Sequence, residues 1–396
     1  MSQSFPLVPL ENIFTIARGG SPRPIDKFIT EDPDGINWVL ISDATESGKY
    51  INSTKKRIRE EGAKRSRAVK PGDFLLTNSM SFGRPYIMNT SGCIHDGWLV
   101  LSPRDSKVLS DFFYHLLGSE LVYAEFKRLA SGATVKNLNI DLVKGVRVPL
   151  PPLPEQRRIA EILDRAEALR AKRRAALAQL DTLTQSIFLD LFGDPVTNGK
   201  QWEVRKLSEI SHFENGDRSS NYPSGGDIKD EGVLFLSTKN VVDDRLDLSA
   251  AVFITEEKFK SLSRGKAKRN DLIITLRGTL GTCCIFDCEY ETAFINAQMM
   301  IIRPIQEGTH RYLYALLTSR QAKDRFARIG YGAAVRQLSA SQLSELPIPV
   351  PPPDLQHEFE RRINVVEKLK AAHRASLAEL DALFAVLQHR AFRGEL

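Results

Sequence analysis

An internal repeat constrains the fold of this chain more than any other feature of the sequence. Shifted by 200 positions, "GATVKNLNIDLVKGVRVPLPP" (132–152) aligns without a gap on "GAAVRQLSASQLSELPIPVPP" (332–352). The same shift places "AQLDTL" (178–183) on "AELDAL" (378–383). A period this long is typical of two duplicated domains rather than of a solenoid. The sequence therefore predicts two copies of one unit.

Each copy begins with strand-like segments and ends with a long helical pattern. Short apolar runs such as "INWVLIS", "DFLLT", "VLFLS" and "DLIIT" are bounded by Gly, Pro, Asp and Asn, which is typical of strands. One amphipathic helix is predicted after them in each copy, near 109–129 and 310–328. The fold class is mixed α/β (α+β), with two tandem globular domains each followed by a long helix. The predicted boundaries are 1–154 and 193–353 for the globular domains, and 155–192 and 354–396 for the helices.

The two long helices carry apolar residues at alternating spacings of four and three, as in the seam of a coiled coil. A helix of roughly 35 residues is about 50 Å long and needs a partner to bury its stripe, so each is expected to pack on the other. Arg173 and His373 occupy matching seam positions, where a snorkelling arginine and a solvated histidine are expected and a buried functional pair is the alternative. The predicted seam residues are Ile162, Leu169, Leu180, Leu183, Ile187, Val366, Leu369, Leu380, Leu383 and Leu387.

A proline-rich segment precedes each helix. Prolines 149, 151, 152 and 154 run into the first helix, and "LPIPVPPP" stands at the same place in the second copy. Proline is tolerated in the first helical turn because those N–H groups have no intrahelical partner. We expect that the preceding prolines cannot join a sheet. We also expect them to form a stiff elbow that fixes the angle between the globular domain and the helix. The alternative is that the prolines only end a strand and the helix packs on its own domain.

Motifs for catalysis are absent from the sequence. There is no phosphate-binding loop, no dinucleotide fingerprint, no nucleophile elbow and no [DN]-P-P-[YF] methyltransferase loop. Cys283, Cys284 and Cys288 lack a second pair at zinc-site spacing, so buried thiols are expected and no metal is predicted. No apolar run is long enough to span a membrane and no signal peptide is recognised, so a cytoplasmic protein is expected. The chain is therefore predicted not to be an enzyme.

Two basic segments occupy equivalent places in the copies. "KKRIREEGAKRSRAVK" (55–70) and "KFKSLSRGKAKR" (258–269) both precede a D-[FL]-[LI]-[LI]-T strand. A formal net charge of +6 permits nucleic-acid binding without requiring it, but recurrence at one site favours phosphate contact. The candidate phosphate-binding residues are Lys55, Lys56, Arg57, Lys64, Arg65, Arg67, Lys258, Lys260, Arg264, Lys266 and Lys268.

The glycine-bearing loops after these strands differ most between the copies. Arginine, asparagine and glutamine side chains are suited to reading base edges. The candidate base-reading residues, with structural turns as the alternative, are Asn78, Arg84, Lys136, Arg277, Asn296, Gln298 and Arg336, beside His95 and Asp96. One scaffold with two different sets of loops predicts recognition of two different short DNA sequences.

These residues carry a family resemblance. "VPLPPLPEQRRIAEIL", "LDALFAVLQHRAF", the "GDFLLT…FGR" and "NDLIIT…RGTLG" blocks and the two-copy layout resemble the specificity subunit of type I restriction–modification enzymes. The resemblance covers essentially the whole chain. The second copy departs from it, with "PPPDLQHEFE" in place of "PPLPEQRRIA".

The resemblance implies two target recognition domains that read a bipartite, asymmetric site in double-stranded DNA, with the helices pairing antiparallel as a spacer. Two methyltransferase (modification) subunits would dock on the chain, and restriction subunits with motor activity could join them. No cofactor would bind this chain, because S-adenosylmethionine, ATP and Mg would be held by the partners. The alternatives are a coiled-coil scaffold that binds only proteins, and the specificity subunit of a related fused restriction–methylation system.

Overall fold

The computed structural model describes residues 5–78, 83–130, 138, 140–217, 219, 221–329 and 337–396. The chain forms two compact units. Unit 1 comprises Met1–Ala176 and His373–Leu396, and unit 2 comprises Leu177–Ala372. The division runs through both long helices, so each unit contains one globular part and a section of each helix.

The described residues of unit 1 form twelve short strands and six short α-helices before the first long helix. The strands are β1 (Leu7–Pro9), β2 (Phe14–Arg18), β3 (Ile29–Thr30), β4 (Ile36–Val39), β5 (Tyr50–Ile51), β6 (Lys56–Ile58), β7 (Arg67–Val69), β8 (Phe74–Thr77), β9 (Pro85–Met88), β10 (Gly92–Ile94), β11 (Trp98–Pro103) and β12 (Arg147–Pro149). The helices are α1 (Leu10–Ile13), α2 (Ile41–Ser47), α3 (Glu60–Ala63), α4 (Ser110–Leu117), α5 (Glu120–Ala130), α6 (Ile140–Gly145) and the long helix α7 (Leu153–Phe192).

Within the described part of unit 1, the strands form two five-stranded sheets and one ribbon. The first sheet has the order β3-β6-β4-β10-β7, the second β2-β11-β8-β9-β5, and β1 pairs with β12. Side chains alternate along the central strand β11, because successive residues of a strand point to opposite faces. Leu99 and Leu101 join the core against the helices, whereas Trp98 and Val100 pack in a second core with Ile94 of the other sheet. Two layers of core therefore hold the sheets and helices together.

Unit 2 repeats this architecture. Its strands are β13 (Glu203–Lys206), β14 (Ser211–Asn215), β15 (Ile228–Lys229), β16 (Val233–Leu236), β17 (Val241–Val242), β18 (Arg245–Leu246), β19 (Val252–Ile254), β20 (Lys266–Lys268), β21 (Leu272–Thr275), β22 (Cys283–Ile285), β23 (Thr292–Ile295), β24 (Met299–Pro304) and β25 (Pro347–Val350). Its helices are α8 (Leu207–Ile210), α9 (Glu256–Ser261), α10 (His310–Leu317), α11 (Arg320–Ile329), α12 (Ala340–Ser344) and the long helix α13 (Pro353–Arg393).

The sheets of unit 2 have orders β15-β19-β16-β23-β20 and β14-β24-β21-β22, with ribbons β13-β25 and β17-β18. In both units the first of these sheets contains an equivalent parallel pair, β4 with β10 and β16 with β23, and the second sheet of unit 1 adds a parallel pair of β5 with β9. The central strand β24 alternates as β11 does, with Met300 and Ile302 facing the helices and Met299 and Ile301 facing the other sheet. The shared order confirms the predicted α+β fold with two copies.

Two local expectations were wrong. The single amphipathic helix predicted in each copy is two helices, because α4 ends before Gly118 and α10 ends before Thr318. Proline does join a sheet, since Pro149 pairs with Leu7 at the end of β12. A two-stranded ribbon tolerates proline because each strand has an open edge that needs no N–H donor. The proline-rich segment therefore ends a strand, as in the alternative interpretation.

In unit 1 the two long helices run antiparallel. Arg170 on α7 donates from Nε to Oδ1 of Asp381 on α13 at 2.6 Å. Nearer the start of α7, Arg158 donates to the carbonyl oxygen of Leu396 at 2.9 Å. The residue number rises along one helix as it falls along the other, which defines the antiparallel direction. The first turns of α7 also pack on their own globular part, because Ile159 belongs to the unit 1 core.

Unit 2 contains the equivalent pairing. The ammonium of Lys370 on α13 lies 2.9 Å from Asp181 and donates to Thr184 at 3.0 Å, both on α7. Arg362 lies 4.0 Å from Asp190, so the direction is again antiparallel. The predicted antiparallel pairing of the helices is confirmed within each unit.

The seam between the helices differs from the predicted seam at alternate positions. The predicted seam leucines that are 44–50% exposed are Leu169, Leu183, Leu369 and Leu383. Val366 is buried, and the half-buried predicted seam residues are Ile162, Leu180, Ile187, Leu380 and Leu387. Arg170 and Lys370, which directly follow Leu169 and Leu369, lie in the seam instead, and each is paired with an aspartate on the other helix. The apolar pattern was misleading because the seam is polar there, so the leucines one position away face outward.

Candidate nucleic-acid interface

Four loop segments of unit 1 meet at one end of its sheets. They are Gly19–Ser21 after β2, Arg65–Arg67 at the start of β7, Asn78 after β8, and the turn His95–Gly97 between β10 and β11. Backbone bonds join them, from Gly20 N to the carbonyl oxygen of Ile94 (3.1 Å) and from Asn78 N to that of Gly97 (3.1 Å). The Ser66 hydroxyl donates to the carbonyl oxygen of Gly20 at 2.8 Å. We call this set the unit 1 loop cluster.

The same four segments meet in unit 2. They are Gly216–Asp217 after β14, Ser263–Gly265 before β20, Leu276–Arg277 after β21, and the turn Asn296–Gln298 between β23 and β24. Leu276 N donates to the carbonyl oxygen of Gln298 at 2.8 Å, as Asn78 N does to Gly97 in unit 1. Ile295 N donates to the carbonyl oxygen of Gly265 at 2.9 Å. This set is the unit 2 loop cluster.

A glycine near the end of β2 and of β14 is essential to each cluster, although neither glycine was among the residues predicted from the sequence. A Cβ built on Gly19 would overlap the carbonyl oxygen of His95, and one on Gly216 would overlap that of Asn296. Only glycine allows the chain to approach the turn this closely. The signal was present in the sequence, because Gly19 and Gly216 follow the segments "LENI" and "LSEI" at the same spacing.

A buried carboxylate organises the unit 2 loop cluster. Oδ1 of Asp217 accepts from Ser219 N at 2.7 Å, and Oδ2 accepts from Ser263 N at 3.2 Å. These hydrogen bonds stabilise the charged form, with the bond from Ser219 N contributing most, and lower the pKa of Asp217 to about 2. Asp217 therefore fixes the loop before β20 against the loop after β14.

Two predicted base readers have structural roles. Asn78 is buried and donates from Nδ2 to the carbonyl oxygen of Asp96 at 2.8 Å. Asn296 is buried as well, and its Oδ1 accepts from Gln298 N at 3.1 Å. Short amide side chains are suited to satisfying backbone groups inside a turn. The prediction that Asn78 and Asn296 read bases was wrong, because their polar atoms hold the turn beside them.

Other predicted residues do lie at the loop clusters with exposed side chains. Arg65 and Arg67 flank Ser66, and Arg84 follows β8 with its guanidinium 5.4 Å from the ring centre of Tyr86. In unit 2 the exposed residues at the cluster are Arg264, Arg277 and Gln298, and the half-buried one is Lys266. Arg277 donates from Nη2 to the side-chain oxygen of Gln337 at 2.9 Å, which holds its guanidinium in place.

The remaining predicted phosphate-binding residues are distributed over other surfaces. Lys55 pairs with Glu46, Lys64 pairs with Glu60 at 2.9 Å, and Lys258 pairs with Asp227 at 3.1 Å. The others outside the clusters are Lys56 and Arg57 on β6, Lys260 on α9 and Lys268 at the far end of β20. Lys136 and Arg336 lie outside the described residues. Each basic segment therefore contributes only a short internal stretch to its loop cluster, residues 65–67 and 263–265.

The seam pair Arg173 and His373 lies within hydrogen-bond distance, with Nη1 of the arginine 3.2 Å from Nδ1 of the histidine. A guanidinium only donates, so the imidazole Nδ1 accepts. Both side chains are half-buried.

No metal or membrane site is found in the described ranges. They contain no group of three or more His, Cys, Asp or Glu side chains placed to hold a metal ion. Burial raises the pKa of the Cys283 and Cys284 thiols, so both are neutral and apolar in character. Within the same ranges, none of the helices combines the length and apolarity needed to cross a bilayer.

Comparison with known proteins assigns the family. A family model described as "Type I restriction modification DNA specificity domain" matches residues 5–179 and 199–382. The chain belongs to this family. Each match covers one copy of the repeat, so the chain holds two DNA specificity domains, each with one of the loop clusters. DNA recognition is the role of this family.

Relatives span most of the chain. The chain is 25% identical to the "Type I restriction enzyme EcoBI specificity subunit" of Escherichia coli, over 82% of this chain and 72% of that protein. It is 21% identical to the "Type I restriction enzyme EcoKI specificity subunit" of Escherichia coli strain K12, over 100% of this chain and 90% of that protein. The crystal structure of a type I restriction-modification S subunit from M. genitalium shares the fold, with a TM-score of 0.57, 16% identity, and coverage of 98% of this chain and 96% of that one.

Proposed function

We propose that the chain is the sequence-recognition subunit of a type I restriction–modification enzyme and reads a bipartite, asymmetric DNA target. One observation carries this proposal. The same four loop segments meet in each unit on the same sheet order, but they present different side chains. A shared scaffold with different loops is suited to reading two unrelated half-sites, one per unit.

Phosphate contact is assigned to the basic residues of the loop clusters. Arg65 and Arg67 lie in the unit 1 loop cluster, Arg84 is exposed directly before β9, and Arg264 and Arg277 stand in the loop segments of unit 2. Arginines at loop ends bind backbone phosphates and position a protein on the duplex, whereas base edges supply the sequence information. Lys55 and Lys64 lie outside the clusters and pair with Glu46 and Glu60, so they are not assigned this role.

We assign the chemistry to partner subunits. Two modification subunits would bind S-adenosylmethionine and methylate adenine, and restriction subunits would bring ATP and Mg. The exposed leucines support equivalent docking sites on the two units. Leu169 and Leu383 flank the Arg170–Asp381 pair in unit 1, and Leu369 and Leu183 flank the Lys370–Asp181 pair in unit 2. Exposed apolar side chains at equivalent places suit two copies of one partner. The proposed location is the cytoplasm, with the host DNA.

The test is methylation mapping of host DNA. The chain is co-expressed with a candidate type I modification methyltransferase from the same host, and N6-methyladenine is located by sequencing. A two-part motif with a fixed gap is the expected result. Exchange of the unit 1 globular part for that of a relative should change one half of the motif and leave the other half intact.

The control is the methyltransferase expressed without this chain, which should give no motif. If the complex forms but produces no motif with the chain present, the chain binds proteins without reading DNA. If one unit exchange alters both halves of the motif, the assignment of one half-site to each unit is wrong.

A further inference from the structure

The turn between the two sheets differs chemically between the units. It is His95-Asp96-Gly97 in unit 1 and Asn296-Ala297-Gln298 in unit 2. The backbone is held in the same way in both, because Trp98 N donates to His95 O at 3.1 Å and Met299 N to Asn296 O at 3.2 Å. Identical backbone bonds with different side chains are what a specificity position requires.

Asp96 is a carboxylate at the centre of a basic loop cluster. Its carbonyl oxygen accepts from Arg18 Nε at 3.1 Å and from Asn78 Nδ2 at 2.8 Å, so the backbone of the turn is fixed from two sides. The side chain remains 45% exposed. A negative charge on a surface that approaches phosphates is unfavourable, unless the charge meets hydrogen-bond donors of the DNA.

The side chain of Asp96 is oriented in advance. Ser21 Oγ donates to Oδ1 at 2.7 Å, and Oδ2 lies 3.6 Å from Arg23, whose side chain is 83% exposed. The Ser21 hydrogen bond is the main cause of a lowered pKa, so the group is ionised and accepts only. One oxygen is therefore anchored while the other keeps accepting capacity toward solvent.

The turn of unit 2 presents an amide instead. Gln298 is exposed, and its backbone is held by Leu276 N at 2.8 Å and by Asn296 Oδ1 at 3.1 Å. A carboxylate accepts a hydrogen bond from the exocyclic amino group of a base, typically N4 of cytosine. A glutamine amide both donates and accepts, which matches N7 and N6 of adenine.

We propose that this turn specifies one base in each half-site, through Asp96 accepting from an exocyclic amino group in unit 1 and Gln298 pairing with adenine in unit 2. The inference rests on the proposed function and assigns the residues that carry its specificity. Ser21 acts as a positioning residue, because its hydroxyl donates to the Asp96 carboxylate and orients it.

The experiment is methylation mapping with the full chain and its methyltransferase, comparing wild type with Asp96→Asn and Gln298→Ala. Asp96→Asn keeps the shape of the side chain but adds a donor, so one position of one half-site should also accept bases that present acceptors. Discrimination at that position should fall about 10- to 100-fold. Gln298→Ala should relax one position in the other half-site. Ser21→Ala should relax the Asp96 position less than Asp96→Asn does.

The matched control is Asp105→Asn. Asp105 is an exposed carboxylate that follows β11, so it lies at the opposite end of this strand from the turn that contains Asp96. Its Oδ1 accepts a hydrogen bond from Lys107 N. This control should leave the motif unchanged. A thermal melt of each variant checks that the unit still folds, and Asp96→Asn is chosen over alanine because it preserves volume.

The outcomes separate this inference from the proposed function. A wild-type motif that is unchanged in Asp96→Asn and Gln298→Ala overturns the inference and leaves the proposed function standing. Relaxation of both half-sites by either single variant also overturns it, because the residue would then act on assembly or stability. If the wild type yields no motif, the proposed function fails and this inference fails with it.

Discussion

Arg170 and Asp381 join the two long helices of unit 1 through a hydrogen bond of 2.6 Å from Nε to Oδ1. The guanidinium also lies 4.4 Å from the centre of the Phe384 ring. An arginine that is mostly buried, ion-paired and stacked contributes more than an exposed pair, because less of its interaction is screened by water. This pair replaces an apolar contact in the seam.

The first prediction concerns this pair. In a double-mutant cycle with Arg170→Ala and Asp381→Ala, we expect a coupling free energy of about 1–2 kcal/mol in the unfolding of the full chain. The measurement is urea denaturation followed by circular dichroism. The exposed pair of Lys64 with Glu60 serves as the control and should show no measurable coupling. A coupling free energy as small as that of the control pair would show that Arg170 and Asp381 do not stabilise the seam.

The second prediction concerns the glutamine that follows each proline-rich segment. Gln156 is 1% exposed, donates to the carbonyl oxygens of Lys107 and Pro151, and accepts from Leu109 N at 3.0 Å. Gln156→Leu would remove the side-chain partner of three backbone groups, one buried at Pro151 and two part-buried at Lys107 and Leu109, so the free energy of unfolding should fall by about 3 kcal/mol.

Gln356 is the matched control in unit 2. Its amide donates to the carbonyl oxygen of Pro351 at 2.8 Å, and its Oε1 has no hydrogen-bond partner among the described residues. Gln356→Leu should therefore destabilise the chain less than Gln156→Leu, as measured by thermal and urea denaturation of both variants. Equal losses would contradict the different bonding of the two glutamines.

The third prediction concerns a glycine that packs on an aromatic ring. Gly281 has φ of +72°, and a Cβ there would overlap the ring of Phe326. Gly278 has φ of +81° with nothing within 4 Å of an added Cβ. Gly278→Ala should cost about 1 kcal/mol from backbone strain alone, and Gly281→Ala about 1–3 kcal/mol more because the ring must move. Equal losses in urea denaturation would show that the ring contact has no effect.

The fourth prediction concerns pH. Burial is the main cause that lowers the pKa of His310 to about 4, with Arg311 acting in the same direction and Asp287 opposing it; Glu360 lies 3.4 Å away. The imidazole binds a proton near pH 6.5 in the unfolded chain but stays neutral in the fold until about pH 4. The contribution of His310 to the free energy of unfolding is therefore fully present above about pH 6.5 and is lost as the pH falls toward 4.

His310→Gln should flatten the dependence of the unfolding free energy on pH across this window, by up to about 3 kcal/mol. Urea denaturation at several pH values measures the difference between wild type and variant. His212→Gln, on the exposed side of β14, is the control and should retain the wild-type slope between pH 4 and 6.5. A wild-type slope in His310→Gln would refute the role of His310.

The fifth prediction distinguishes the loop clusters from the rest of the basic segments. Arg67→Ala should weaken binding of the assembled complex to a generic duplex and reduce the salt dependence of log K by about 0.9, the contribution of one phosphate contact. Lys55→Ala should change neither quantity, because Lys55 is paired with Glu46 outside the cluster. Fluorescence anisotropy over a salt series provides the measurement, and an equal effect of both variants would contradict the assignment.

Much of the architecture was predictable from local and periodic signals. The 200-residue offset predicted two copies, and the strand-like runs around "DFLLT" and "DLIIT" became β8 and β21. The four-three spacing predicted the paired helices but not the correct seam. The apolar spacing favoured Leu169 and Leu369 as seam residues. Only the packing of the two helices shows that Arg170 and Lys370 occupy the interface through ion pairs.

For the site, the sequence identified the loops but not the roles of individual residues. Basic character and base-reading residue types are visible in the sequence itself, so Arg67, Arg277 and Gln298 could be proposed from the sequence alone. Whether an amide turns inward depends on which backbone groups the fold leaves unsatisfied nearby. Asn78 and Asn296 were therefore assigned wrongly from sequence.

The sequence by itself determined the duplication, the fold class, the helix pairing and the family, because these follow from periodicity and from motifs that are continuous along the chain. The tertiary structure decided which segments meet. Gly19 lies against His95, and Asn78 bonds to Asp96, although these segments are separated in sequence, so the contacts depend on strand order and on hydrogen bonds between loops. Contacts of this kind arise from the packing of whole sheets, so no local pattern encodes them.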